Sequence, residues 1–535
     1  MEKSQKIILS ILILLSAGIF CIFIIPNRAG SENIQMVEIF EPDESVPLPY
    51  LFAMIKPGET FKQTLINFAF YEYYFYGYPH FALSGLVLLP VQWKGRLQDT
   101  PLVMAALRQM ISVLPMLASI LLLVYLQTDF RSYKAVVLFL LLASVPAVVQ
   151  NNLWWHPDSL AIMFAMLVIF FLYRDDLRLG LNFYLAGAMC GLSAGTKGIG
   201  FYFFAATAVI LLLAYFQRKT NLRRVLFAGV GFVLAMAAAY LLANPILIYA
   251  SVRRDYFHVM SEQARLLSSG YEVYYPKGLA AAWRGLRENF GFALFYLAAS
   301  GACLWGIIRS EKRLLYILIL SWVLPISVSV ISLFHFKFQY WLPAALPLFS
   351  CLVVALPEVE NLKLPALKAR GSTWLRLGVT LILVVQFAAY LGIDTRRYTS
   401  ALRKADSNPS IQFYHQARQS LQPLPEDEPY FVYHDVLIYA PHTPGWVTEA
   451  IFETLDYQFI TDRDYDVLLL MQQRIADYTN PNVVGIDAQH FARSKLFYTD
   501  AERGQLDGYV LLHRDAFGLI YVKNTLYQKY FSIQP

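Results

Sequence analysis

Charged residues are scarce in this chain of 535 residues: Asp, Glu, Lys and Arg together make up 15%, whereas hydrophobic residues make up 57%. The mean hydropathy is +0.45, and a water-soluble domain rarely has such a composition. The net charge of +6 does not indicate nucleic-acid binding, because the basic residues lie in short loops between apolar blocks. We therefore expect an integral membrane protein without a nucleic-acid partner.

Cysteine is also rare, and the sequence has neither a CxxC motif nor a Cys/His cluster. The four cysteines, each inside an apolar block, are Cys21, Cys190, Cys303 and Cys351. Isolated cysteines in apolar segments usually behave as small buried hydrophobic residues. We therefore expect neither disulfides nor a zinc site. Internal repeats and low-complexity tracts are absent from the sequence as well.

The apolar residues occur in blocks of about 17–25, the length at which a helix crosses a bilayer core. Such blocks must be helical, because lipid offers no hydrogen-bond partners to the backbone. The eleven predicted spans are 7–26, 102–126, 135–151, 158–173, 181–196, 198–216, 225–243, 291–308, 314–333, 341–356 and 376–392. The first is predicted to be an uncleaved helix, since no A-x-A-like cleavage site follows it. The stretch 81–91 is too short to span and is interpreted as interfacial or re-entrant.

Loop charges predict the orientation. With a cytoplasmic N-terminus, five short loops on the same side carry fifteen basic residues. These are Arg131, Lys134, Arg174, Arg178, Arg218, Lys219, Arg223, Arg224, Arg309, Lys312, Arg313, Lys363, Lys368, Arg370 and Arg376. The positive-inside rule places them in the cytoplasm, whereas an additional span at 81–91 would export them all. We predict a multi-pass protein of the plasma or inner membrane with an extracytoplasmic C-terminal domain.

Three large non-membrane pieces face outward in this topology: the acid-rich loop 27–101, the loop 244–290, and the C-terminal region. The last alternates a helix-like segment, 411–421, with strand-like ones. The strand-like runs are 430–432, 465–470 and 509–512. The predicted fold is thus mainly α, with a membrane domain over 1–395 and a small α/β domain over 396–535.

Ionisable residues collect on the predicted outer side, where they border apolar helix ends. They are Asp43 and Glu44 in the first outer loop, His156 and Asp158 between the third and fourth spans, Lys197 after the fifth, Arg253 and Arg254 in the second long loop, and His335 and Lys337 between the ninth and tenth. Ionisable groups at the membrane boundary usually line a cavity or bind a ligand. Several that converge from separate loops predict a functional site.

The order of these motifs resembles the GT-C membrane glycosyltransferases, and within them the protein mannosyltransferase and lipid A aminoarabinose transferase group (family 39-like). The matching elements are Arg108, Pro146, Pro157-Asp158, Gly187…Gly191-Leu192-Ser193…Thr196-Lys197, the FQYWLPAALPLF segment 338–349, and the acidic pair Asp43-Glu44. The likeness covers about residues 1–395. The family's His-Pro-Pro element appears in this chain as Tyr78-Pro79-His80.

The resemblance implies sugar transfer, with inversion, from a polyprenyl-phosphate carrier to a glycan, lipid or protein acceptor. The acceptor hydroxyl needs a base, and the leaving phosphate needs a fixed cation. The implied roles are base for Asp43 beside Glu44, helper for Asp158, and phosphate binding for Lys197 and Lys337, with His335, His156, Arg253 and Arg254 as further candidates. No metal cluster is evident, and the sequence leaves open a divalent ion that bridges Asp43 and Asp158.

Structural roles explain the same residues in part. Asp43-Glu44 is also typical of a solvated acidic turn, and Asp158 suits the first turn of a helix. Lys197 could extend toward the membrane–water interface, and Lys337 could be an anchor of the chain at that interface. The Tyr-rich run 71–78, which contains Glu72, suits an interfacial aromatic belt as well as a sugar platform.

Three other functional classes are alternatives for the sequence. A flippase for lipid-linked sugars predicts repeats and charges near the middle of the membrane, whereas the charges lie at one boundary here. A glycan polymerase or ligase would explain the arginine pair Arg253-Arg254, but not the acidic pair or the ordered motifs. A sensor or scaffold leaves the clustered polar residues unexplained.

Overall fold

The computed structural model describes residues 2–270, 273–356, 371–452 and 454–532. The chain divides into two compact units. The first comprises Met1–Arg28, Pro47–Ala264 and Pro276–Leu402. The second comprises Ala29–Val46, Arg265–Tyr275 and Arg403–Pro535. Each unit is thus assembled from three separate stretches of chain.

Helices form most of the first unit. Up to residue 242 the helices of the chain are α1 (Lys3–Arg28), α2 (Ile34–Phe40), α3 (Pro42–Ser45), α4 (Leu48–Ile55), α5 (Phe61–Ala69), α6 (Tyr78–Trp93), α7 (Thr100–Leu107), α8 (Leu114–Thr128), α9 (Lys134–Ala143), α10 (Pro146–Asn151), α11 (Asp158–Asp175), α12 (Leu181–Lys197), α13 (Phe203–Phe216) and α14 (Leu222–Leu242). A π-helical turn, Arg108–Val113, joins α7 to α8 without a break.

The later helices include those of the C-terminal domain. They are α15 (Ala250–Ser269), α16 (Leu279–Phe290), α17 (Ala293–Arg309), α18 (Arg313–Val328), α19 (Phe338–Ser350), α20 (Gly371–Leu402), α21 (Lys404–Ser407), α22 (Pro409–Ser420), α23 (Tyr457–Arg463), α24 (Gln472–Thr479), α25 (Ala488–Arg503) and α26 (Asn524–Tyr530). The strands are β1 (Tyr430–His434), β2 (Trp446–Glu449), β3 (Val467–Met471), β4 (Tyr509–Arg514) and β5 (Gly518–Lys523).

Within the described ranges, seven helical stretches are long and apolar enough to cross a membrane, or eight if α16 and α17, bent by 82°, form one span. The seven are Lys3–Arg28, Thr100–Thr128, Ile199–Phe216, Leu222–Leu242, Arg313–Leu333, Phe338–Ala355 and Gly378–Leu402. The predicted number of eleven is not confirmed. The structure divides the predicted span 135–151 into α9 and α10, because Pro146 has no backbone N–H to continue a helix.

Two other predicted spans lie within helices that are not among these seven. The segments 158–173 and 181–196 fall inside α11 and α12, which have 18 and 17 residues. The stretch 81–91, interpreted as interfacial or re-entrant, belongs to the 16-residue helix α6. Of the predicted cytoplasmic basic residues, Lys363, Lys368 and Arg370 lie outside the described residues.

A stripe of glycines packs α12 against α14. A Cβ atom added at Gly187 would lie 2.7 Å from the carbonyl oxygen of Phe232, and one at Gly191 would lie 2.2 Å from that of Met236. Small residues at this spacing let two membrane helices approach at backbone distance. The glycines that the sequence offered as a family motif therefore have a packing function.

The second unit contains a five-stranded sheet in the order β2-β1-β3-β5-β4. Strand β1 pairs in parallel with β2 and β3, and β5 pairs antiparallel with β3 and β4. The three strand-like runs predicted from the sequence match β1, β3 and β4, and the helix-like segment 411–421 matches α22. The sequence did not predict β2. The C-terminal region is thus a small α/β domain, as expected.

The glycine stripe yields a first prediction. Gly191→Ala forces a methyl group against the Met236 carbonyl, so we expect destabilisation of about 1–3 kcal/mol, as for other overpacked interiors. Thermal unfolding in detergent measures the change. Gly301→Ala on α17 is the matched control, because a Cβ there meets nothing within 4 Å, and its melting temperature should not fall. Equal melting temperatures for both variants would contradict the tight α12–α14 contact.

Candidate functional site

The centre of the site is an ion pair between the beginning of α11 and the end of α12. Lys197 Nζ donates a 2.6 Å hydrogen bond to Asp158 Oδ1, and His156 Nδ1 faces the other carboxylate oxygen of Asp158. The side chains of His156 and Asp158 are 5% and 4% exposed, and that of Lys197 is 19% exposed. One buried carboxylate therefore holds a lysine and a histidine.

The helices also favour these charges individually. Asp158 lies in the first turn of α11, and Lys197 in the last turn of α12. An acidic group at a helix N-terminus and a basic group at a C-terminus both interact favourably with the helix dipole. The structural role expected for Asp158 is thus compatible with its part in the ion pair.

Two lysines share one aromatic ring beside this pair. Lys197 Nζ lies 4.8 Å, and Lys337 Nζ 5.9 Å, from the ring centre of Tyr340 in α19. Burial lowers the pKa of nearby His335, and the positive charge of Lys337 adds to this effect, so this imidazole is neutral at pH 7. The structure thus brings Lys337 to the cation cluster that contains Lys197.

Aromatic side chains enclose His156. Its ring stacks on Trp154 with 4.3 Å between centroids and an interplanar angle of 6°. Tyr76 contacts the same imidazole edge-on at 4.9 Å. Tyr76 and Tyr71 are buried within the protein, whereas Glu72 in the same run is exposed. Part of the Tyr-rich run, which the sequence allowed to be either an interfacial belt or a sugar platform, therefore lines the site.

Gly77 allows this run to reach the site. Its backbone N–H donates to the carbonyl of Thr196 at 3.1 Å. A Cβ atom at Gly77 would lie 1.6 Å from the carbonyl oxygen of Gly195, so a larger residue would separate the two segments. The close contact places Tyr76 beside the end of α12.

The sequence analysis did not select Tyr340, Tyr76 or His80 as site residues. His80 is fully buried and stacks on Trp155 at 4.9 Å. Among the described residues, neither of its ring nitrogens has a hydrogen-bond partner. The one signal in the sequence was its position in Tyr78-Pro79-His80. Aromatic residues are common at membrane boundaries, so Tyr340 and Tyr76 carried no signal of their own.

Arg108 connects α1 to the segment before the site. Its Nη1 donates to the carbonyl of Asn27 at 2.9 Å, and Asn27 Nδ2 donates to the carbonyl of Asn152 at 3.0 Å. The guanidinium is fully buried. Arg108 thus binds a backbone carbonyl near the C-terminal end of α1.

The remaining predicted residues belong to α3 and α15. Asp43 and Glu44 are in α3 of the second unit, where Asp43 is exposed and Glu44 is buried. Arg253 and Arg254 are exposed at the beginning of α15. Arg253 donates to the carbonyl oxygen of Leu247 at 3.1 Å. In the part of the chain that the structure describes, no group of three His, Cys, Asp or Glu side chains could hold a metal ion.

The arrangement in the first unit suits an anion. Fixed ammonium groups within aromatic surroundings bind phosphate more strongly than they would in water, because the local dielectric constant is low. Asp158 holds Lys197 in place through a charge-assisted hydrogen bond. A phosphate that approaches Lys197 and Lys337 would find its partners already positioned.

The ion pair yields a second prediction, tested by a double-mutant cycle. Asp158→Asn and Lys197→Met should each lower the melting temperature, and the double variant should lose less than the sum of both. We expect a coupling of about 0.5–3 kcal/mol, as for other contacting residues. Arg284→Gln with Glu288→Gln is the control, because that ion pair is exposed and should show no measurable coupling. Additive effects at Asp158 and Lys197 would contradict the pair.

The fold matches a solved structure. Neither a protein-family model nor a curated protein sequence matches the chain. ArnT from Cupriavidus metallidurans, bound to undecaprenyl phosphate, superposes with a TM-score of 0.51 over 96% of this chain and 97% of its own, at 12% identity. The apo oligosaccharyltransferase of Archaeoglobus fulgidus gives 0.48 over 88% of this chain and 70% of its own, at 14% identity. The chain thus shares the fold of ArnT, and the order of its motifs resembles that of the GT-C membrane glycosyltransferases.

Proposed function

We propose that the chain is a membrane glycosyltransferase that moves a sugar from a polyprenyl-phosphate donor to an acceptor hydroxyl at the extracytoplasmic face. The acceptor would be a glycan, a lipid or a protein. The observation that carries the proposal is the cluster of Lys197 and Lys337 on the Tyr340 ring, with Asp158 holding Lys197. ArnT, of the same fold, was solved with undecaprenyl phosphate, which is a carrier of this class.

The lysines would bind the carrier phosphate. As the bond between the sugar's anomeric carbon and the phosphate oxygen breaks, its electron pair stays on the phosphate. Lys197 and Lys337 would stabilise this growing charge, which is the contribution of fixed cations to such transfers. The carrier's tail remains in lipid, so a phosphate site at the ends of membrane helices suits the donor.

The acceptor needs a base, and Asp43 is proposed for this role. The acceptor oxygen bonds to the anomeric carbon from the side opposite the phosphate, which inverts that carbon, and its proton passes to Asp43. An exposed carboxylate supports this assignment, since the base must meet a second substrate. Glu44 adjoins it and is buried.

The other candidates have supporting roles in the proposal. His156, held by Asp158 and stacked on Trp154, would contact the donor beside Lys197. His335 is neutral near pH 7, so it could donate a hydrogen bond to phosphate without adding charge. Arg253 and Arg254 are exposed and would bind phosphate of the donor or of membrane lipid at the outer surface.

A third prediction tests the base. We supply the purified protein in nanodiscs with a panel of polyprenyl-phosphate sugars and measure sugar transfer and donor hydrolysis. Asp43→Asn removes the proton acceptor, so the transfer rate should fall by about 10²–10⁴-fold. Glu59→Gln, an exposed acid of the same predicted loop, should retain the wild-type rate. Full transfer activity in Asp43→Asn would refute the base assignment, and inactivity of the wild type toward every donor would refute the function.

A fourth prediction tests the phosphate site. Lys337→Met removes one cation, so inhibition of transfer by free polyprenyl phosphate should weaken by about tenfold or more, which corresponds to about 1.4 kcal/mol. Lys56→Met, at an exposed lysine of the first unit, is the matched control and should leave the inhibition constant unchanged. An unchanged constant in Lys337→Met would remove this lysine from the donor site.

A further inference from the structure

The proposed base belongs to the folding unit of the C-terminal domain, although about 360 residues of sequence separate Asp43 from Arg403, where that domain begins. Residues Ala29–Val46 are part of the second unit, together with Arg403–Pro535. This stretch contains α2 and then α3, where Asp43 lies. The sequence counted it as the beginning of an outer loop of the membrane domain.

Apolar side chains attach α2 to the C-terminal domain. Met36, Ile39 and Phe40 pack against the buried cluster of that domain, which includes Phe413 and Val432. Lys404 Nζ also lies 5.3 Å from the ring centre of Phe40. The spacing of three and four residues puts these apolar side chains on one face of the helix. Helix α2 is therefore held by the same core that supports the sheet.

One polar contact fixes the beginning of α2. Asn33 Oδ1 accepts a 2.8 Å hydrogen bond from the backbone N–H of Met36 and so caps the helix, while Asn33 Nδ2 donates to Tyr439 OH at 3.0 Å. Tyr439 is buried, and its ring contacts Tyr414 edge-on at 5.3 Å. The side chain of Asn33 thus both caps α2 and connects it to the C-terminal domain.

The connection from α2 to the acidic pair is short. Glu41 is the single residue between α2 and α3, and its backbone N–H donates to the carbonyl of Val37 at 2.9 Å. Pro42 then opens α3 with a restricted φ angle. A displacement of α2 should therefore move Asp43 as well, because the connection between them is short.

We propose that the C-terminal α/β domain positions the catalytic base: through Tyr439 and α2 it fixes the location of Asp43. The inference depends on the proposed role of Asp43. It makes Tyr439 a positioning residue, and it makes the domain part of the catalytic machinery rather than a separate module. Small errors in the placement of a reacting group reduce rates strongly, because catalysis depends on a near-attack geometry.

The test uses variants that change one contact. Tyr439→Phe keeps the ring and removes the hydroxyl, and Asn33→Ser keeps a capping oxygen that is too short to reach Tyr439. Both should reduce kcat about 3–10-fold with an unchanged KM for the donor, since the phosphate site is unaltered. Asn33→Asp should keep the wild-type kcat, because Tyr439 can donate to the carboxylate while the cap persists.

A matched control separates positioning from stability. Tyr457→Phe removes a hydroxyl that donates to Asp500 at 2.8 Å in the same domain. Tyr457 packs against a different buried cluster from the one that holds α2, so this change should leave kcat unchanged. Melting temperatures identify variants that fail to fold, and either Tyr439→Phe or Asn33→Ser suffices for the test.

The outcomes distinguish this inference from the function it rests on. If Asp43→Asn loses activity but Tyr439→Phe and Asn33→Ser keep the wild-type kcat, the inference is wrong and the proposed function stands. If Tyr457→Phe loses as much as Tyr439→Phe, the effect is general loosening of the domain, and the inference is again wrong. If Asp43→Asn stays active, the proposed base itself is refuted.

Discussion

Lys197 and Asp158 can remain charged beside apolar helices because each neutralises the other at 2.6 Å. Removal of one partner would leave a buried charge, which costs several kcal/mol. Their contact requires the beginning of α11 and the end of α12 to lie side by side. The end of α12 is kept in this position by two close backbone contacts: its glycines pack against α14, and Gly77 packs against Gly195. The site therefore depends on close backbone packing as much as on its charged groups.

Aromatic rings explain how a second cation is accommodated. Lys337 repels Lys197, but the Tyr340 ring attracts both. Trp154 and Tyr76 beside His156 exclude water from the same region, which strengthens any cation–anion interaction there. Cations gathered at this boundary are better suited to a phosphate group than to a neutral sugar. The arrangement therefore suits a ligand with a phosphate group, as a polyprenyl-phosphate sugar has.

Apolar blocks and strand-like runs predicted the α/β domain and most helix positions, because these are local signals. The GT-C fold was implied by the resemblance of the motif order. It also selected Asp158, Lys197 and Lys337 from their places at helix ends. It did not predict the break at Pro146 or the number of spans, since hydropathy averages over such interruptions. Tyr340 has no distinctive local pattern. The attachment of α2 was not predictable either, because Phe40 and its partner Lys404 are distant in sequence.

The proposed reaction needs cations for the leaving phosphate and a carboxylate for the acceptor, and the two kinds of group belong to different folding units. Donor binding would act first on the Lys197–Asp158 pair of the first unit. The carboxylate is connected to the sheet of the second unit, because Tyr439 and the apolar face of α2 hold the segment that contains it.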